Sequence, residues 1–100
     1  MIVRVACALR PARAARVEAA LDERGVVVTR VPPREELLAW LERTPADLLL
    51  VEARALTGRR GVSLTDLRAL TDPPETIVFV EEEDPEARAR FLAGGALAVV

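Results

Sequence analysis

The residues best placed to do chemistry are carboxylates at the ends of apolar runs. Asp47-Leu48-Leu49-Leu50-Val51-Glu52 sets an unbroken apolar run between two acids, and Glu81-Glu82-Glu83 follows a second run, Ile77 to Val80. Arg54, Arg59 and Arg60 are cations close behind Glu52. Carboxylates can hold a hard cation or engage arginine in charge-assisted hydrogen bonds. The rest of the chemical inventory is short. There is no His and no Tyr, and the only Cys is Cys7, which removes zinc clusters, intrachain disulfides, His-based acid–base catalysis and Cys–His dyads. Cys7 lies in the first apolar segment, where a small, buried, inert thiol is the usual state, and no His or Lys is present to lower its pKa. The Gly58-x-x-Gly61 spacing has too few glycines and no Lys for a phosphate-cradling loop and reads as a turn. Ser63, with Asp66 three residues on, reads as a helix cap rather than a nucleophile. The chain is therefore expected not to be an enzyme, and no cofactor is expected.

The elements that would position these groups follow from length and patterning. One hundred residues suffice for one packed module. A hydrophobic fraction of 51% with 30% charged places the chain among folding rather than disordered sequences. Sixteen acids against fourteen bases give a net charge of -2, which offers no positive field to a nucleic-acid backbone or an anionic membrane. All fourteen bases are Arg, a usage that reads as coding bias. No apolar run approaches the ~20 residues of a membrane span, and the start, Met1-Ile2-Val3-Arg4-Val5, lacks the pattern of a signal peptide. A cytoplasmic location is expected.

Short Val-, Ile- and Leu-rich runs alternate with helical spacing, the pattern of repeated βα units around a parallel sheet. The spacing predicts strands at Ile2 to Ala8, Val26 to Val31, Leu48 to Val51, Thr76 to Val80 and Ala96 to Val100. The first helix opens at Pro11, buries Ala14, Val17 and Leu21, and stops at Gly25. The second runs Glu35 to Arg43 with Leu37, Leu38 and Leu41 inward and Trp40 on its flank or over a core edge. The third is capped by Ser63 and passes through Leu64, Leu67 and Leu70, and the fourth is capped by Asp84-Pro85 and passes through Ala87, Phe91 and Leu92. The third strand, apolar on both faces, is expected in the middle of the sheet.

Taken in order, these segments resemble the receiver domain of bacterial two-component response regulators. Leu21-Asp22-Glu23-Arg24-Gly25-Val26-Val27-Val28 is similar to that family's first helix end and second strand, and Pro45-Ala46-Asp47-Leu48-Leu49-Leu50-Val51-Glu52 to its third strand. Asp84-Pro85-Glu86-Ala87-Arg88-Ala89-Arg90-Phe91-Leu92-Ala93-Gly94-Gly95-Ala96 resembles its fourth helix and the Gly-Ala entry to the fifth strand. The resemblance covers nearly the whole chain. It implies an α/β, flavodoxin-like three-layer sandwich around a five-stranded parallel sheet in order 2-1-3-4-5, with 1–100 a single receiver-like domain from the N-terminal part of a longer regulator.

The family's chemistry is phosphoryl transfer to an Asp ending the third strand, beside a magnesium ion held by an acidic pair after the first. Here the first strand ends Ala6-Cys7-Ala8-Leu9-Arg10 with no carboxylate. The acceptor position falls on Glu52, whose extra methylene shifts the carboxylate out of register for in-line attack. The hydroxyl residue that would sense a phosphoryl oxygen maps onto Glu81, and the family's Lys would lie beyond Val100. The resemblance is thus to a degenerate receiver without its metal site. In the implied strand order Glu52 and Glu81 are neighbours, and like charges at that spacing repel unless a cation intervenes. A solvated acidic rim is the preferred reading, with a permanent latch to Arg54, Arg59 or Arg60, or a directly bound divalent cation, as alternatives.

A complete receiver continues into a fifth helix beside the first. Without it, apolar surface on the first and fifth strands would be exposed and would pair two chains. The leading expectation is a non-catalytic signalling module that acts by protein–protein contact and dimerisation, without phosphorylation, on an attached or partner transcription-regulator output. It carries neither direct nucleic-acid nor membrane binding. The alternatives are an atypical receiver that accepts phosphate on Glu52, and a small flavodoxin-like module that binds a ligand at the carboxyl edge of the sheet.

Overall fold

β-branched residues pack well on a pleated surface, and the Val- and Ile-rich runs form the strands of one parallel sheet in the computed structural model, which describes residues 2–32, 34–56 and 63–100. The order along the chain is β1 (Val3–Ala8), α1 (Pro11–Ala20), β2 (Val26–Arg30), α2 (Leu37–Arg43), β3 (Leu48–Glu52), a 3-10 turn (Ala53–Ala55), α3 (Leu64–Arg68), β4 (Glu75–Phe79), α4 (Pro85–Ala93) and β5 (Ala98–Val99). The strands lie in the order β2-β1-β3-β4-β5, all parallel. This is the flavodoxin-like architecture that the resemblance implies.

Register decides which side chains share a face, because successive residues of a strand point to opposite sides. Ala8 is opposite Val51 and Glu52 is opposite Phe79. One face carries the main core: Ala6, Leu49, Val51, Val78 and Val99 cluster with Trp40 and Leu41 of α2, Leu64 and Leu67 of α3, and Phe91 of α4. The other face presents Val5, Cys7, Leu50 and Glu52, all buried, on the side of α1, whose buried residue is Ala14. Past α1, Phe79 and Val100 line an open groove with Arg13, Arg16, Val17 and Ala20, and Val100 is 60% exposed.

Local chemistry sets the boundaries. Ser63 and Asp66 form a reciprocal capping box at α3, and the Asp84 carboxylate accepts the Glu86 and Ala87 N–H groups at the start of α4, each satisfying donors that have no partner within the helix. Gly95 turns the chain out of α4 at φ 109°, where a side chain would be strained. Several expectations are corrected. Trp40, expected on a flank or over a core edge, is buried in the core. The second helix begins at Leu37, because Glu35 closes a turn on the Pro32 carbonyl and Glu36 is extended. The first helix ends at Ala20, and Leu21 to Gly25 make the turn into β2. The last strand is bounded at Ala98 and Val99, with backbone hydrogen bonds to β4 from Leu97 and Val100.

Candidate functional site

The carboxyl ends of β1, β3 and β4 meet at one edge of the sheet and bring together residues far apart in the chain. Glu52, the last residue of β3, is 5% exposed despite its charge. A buried carboxylate requires partners for both oxygens, and both are supplied. Oε1 accepts the Arg10 backbone N–H at 3.2 Å and lies 3.7 Å from Arg10 Nε. Oε2 accepts Arg13 Nη1 at 2.8 Å. Because Arg10 is the residue preceding α1 and no side chain of its own caps that helix, Glu52 supplies an anion from another strand where the helix dipole favours one.

Arg13 is held on two sides. Its guanidinium bonds Glu52 and lies over the Phe79 ring, 5.4 Å from the centroid, a cation–π geometry made possible because Glu52 and Phe79 are paired neighbours on the same face. Arg10 extends the cluster outward: its Nη1 lies 2.9 Å from Glu81 Oε1. Two guanidinium groups thus balance two carboxylates, and Arg10 spans the gap between the ends of β3 and β4. The inner pair is nearly dry, with side-chain exposure of 6% for Glu52 and 18% for Arg13, whereas Glu81 is 55% exposed, so the outer pair contributes at most ~1 kcal/mol.

The expected juxtaposition of Glu52 and Glu81 is therefore present, and the cation that relieves it is an arginine. Its source was not foreseen. Neither carboxylate has an ion pair with Arg54 among the described residues, and Arg59 and Arg60 lie outside them, as does the Gly58-x-x-Gly61 turn. The available signal was a cation at position 10, just after β1, with an acid at position 52 ending the neighbouring β3. Arg13 carries a weaker signal, a charged residue in the first turn of a helix whose neighbour Ala14 faces the core. The solvated acidic rim expected of this edge is present at the exposed Glu82 and Glu83 and fails at Glu52, which is buried.

Magnesium needs oxygen ligands. After β1 the chain offers Leu9 and Arg10, and both Glu52 oxygens are engaged by the arginines. The residues present do not fit that ion. Cys7 is buried and free. Burial pushes its thiol above the ordinary range, with smaller opposing help from the Leu9 backbone, which leaves it a poor nucleophile. At the opposite edge of the sheet Asp47 accepts the Arg4 backbone N–H at 2.8 Å. That bond, reinforced by the Arg4 side chain, holds its carboxyl below the usual range. No described helix is long and apolar enough to cross a membrane.

No protein-family model matches the chain, and no curated protein matches it significantly. Solved structures do. A response regulator from Thermotoga maritima superposes with a TM-score of 0.78 at 19% identity, over 100% of this chain and 84% of that one. The receiver domain of Francisella response regulator 1452 gives 0.75 at 16% identity, over 100% and 83%. The pilus assembly protein CpaE from Caulobacter crescentus gives 0.65 at 17% identity, over 99% and 80%. At these identities the likeness is one of fold alone.

Proposed function

We propose that this chain is a receiver-like signalling module that works without phosphorylation, by protein–protein contact with an attached or partner output that regulates transcription. The observation that carries the reading is the state of Glu52, whose two oxygens are both engaged, by the Arg10 N–H and by Arg13. A phosphoacceptor needs a free carboxylate oxygen in line with the donor and a metal beside it. Here the cationic role is filled from within the chain, and Arg10 ties β1, β3 and β4 together with no ligand. Such an edge holds one conformation, which suits a module that presents a constant surface. The same reading includes homodimerisation, through the open groove beside α1 that Phe79, Val100, Arg13 and Arg16 line.

The test is an amide chemical-shift titration with magnesium and then with beryllium fluoride, a phosphoryl mimic. The expected response is flat at residues 8–13, 50–54 and 79–83. Saturable shifts centred on Glu52 and Glu81 would overturn the reading and favour a receiver that accepts phosphate on Glu52.

A further inference from the structure

Beside the ionic cluster, on the flank of β1 that faces β2, lies a recess of about 780 Å³. Glu81 is not among its lining residues. Its walls are mainly apolar, built by Leu9, Val31, Pro32, Leu37 and Ala55. Its size falls within the ~300–1,000 Å³ of small-molecule sites. Its place, outside the carboxyl ends of β1 and β3 where the strand order reverses, is where open α/β sheets receive ligands.

The charges around the recess decide what it would take. Arg10, Arg30, Arg54, Glu35 and Glu52 line it. Arg10 is paired with Glu52 and Glu81, Arg30 with Glu18, and Glu35 with Arg43. Glu52 is saturated by Arg10 and Arg13. Arg54 alone among these has no carboxylate within 4.0 Å among the described residues, and residues 57–62, which follow it closely, contain no acid. An apolar bowl with one uncompensated guanidinium at its rim matches a ligand with an apolar body and a single anionic head. We propose that the recess binds a small amphipathic anion of this class, with its head on Arg54 and its body against Leu9, Val31 and Leu37. The site goes beyond the signalling reading; it borders the Arg10–Glu52–Arg13 cluster, whose charged groups are already paired.

The probe is 8-anilinonaphthalene-1-sulfonate, an aromatic monoanion, added to the isotopically labelled chain while amide shifts and melting temperature are followed. The expected result is one saturable site, shifts at Leu9, Val31, Leu37 and Ala55, and a melting temperature that rises with probe concentration. Arg54→Glu is expected to weaken binding about tenfold or more, the loss of one charge-assisted contact plus repulsion, with the melting temperature of the free chain unchanged. Ala55→Trp is expected to fill the bowl and abolish the shifts. Absence of saturable binding, shifts centred on Phe79 and Val100 instead, or undiminished affinity in Arg54→Glu would each overturn the proposal. Neither variant replaces Glu52, Arg10 or Arg13, and the phosphorylation-independent reading is tested on the unsubstituted chain, so the two failures are distinguishable.

Discussion

Arg13 and Asp47 illustrate how differently one ionisable side chain acts in a dry and in a wet setting. Arg13→Met would leave the buried Glu52 carboxylate with only the Arg10 contacts. Breaking a fully buried pair costs ~3–5 kcal/mol; because Arg10 remains and Arg13 keeps some solvent, about 2 kcal/mol is expected in urea denaturation. Asp47 is open to water, so its effect is read in pH. Its folded carboxyl titrates below its ordinary value. The stability it contributes is therefore complete above the unfolded pKa near ~4 and is lost as pH falls through the lower folded value. Asp47→Asn is expected to flatten the acid limb of the stability profile below pH ~4 and to leave its shape above pH ~6 unchanged, measured by urea midpoints across pH. Of the site, the acids were legible in the sequence: Glu52 ends β3, Glu81 follows β4 by two residues, and the strand order implied by the resemblance makes them neighbours. Their partners were not. Nearness in sequence favoured Arg54, Arg59 and Arg60, whereas parallel βα units carry partners to an edge from 39 or 42 positions away.

At the scale of elements, caps and turns were readable because a few residue types meet their demands. Ser63 with Asp66 and Asp84 with Pro85 stand where helices begin, since only short oxygen-bearing side chains reach the unbonded N–H groups. Asp84→Ala is expected to cost about 1 kcal/mol in thermal or urea unfolding. Gly95 is a more demanding position. At φ 109° a Cβ would be strained, and it would stand 3.3 Å from Arg68 Cδ and Nε. Gly95→Ala is expected to destabilise the domain by ~1–2 kcal/mol, more than Gly94→Ala, whose backbone is right-handed. Periodicity within a short helix does not fix its rotation, which is why patterning left Trp40 between a flank and a core edge. The rotation was decided by what α2 packs against, and burying an indole outweighs burying Leu37 fully.

For the whole molecule, the fold was more legible than the function, since alternation and run length report a sheet covered on two faces but not what touches its edges. Val100→Arg places a cation beside Arg13 and Arg16 in the open groove and is expected to convert a dimer to a monomer in sedimentation velocity; an unchanged sedimentation coefficient would place the pairing surface elsewhere. The two faces of the sheet also differ in a way that lends the chain its own instrumentation. The lone tryptophan, Trp40, sits in the layer of α2, α3 and α4, and the lone thiol, Cys7, is buried on the other face, toward α1. Indole fluorescence and thiol labelling therefore sample opposite layers with no engineered probe. Coincident decay of the two signals would mean that the layers melt as one unit, whereas labelling that runs ahead of the fluorescence change would time the release of α1 before the rest.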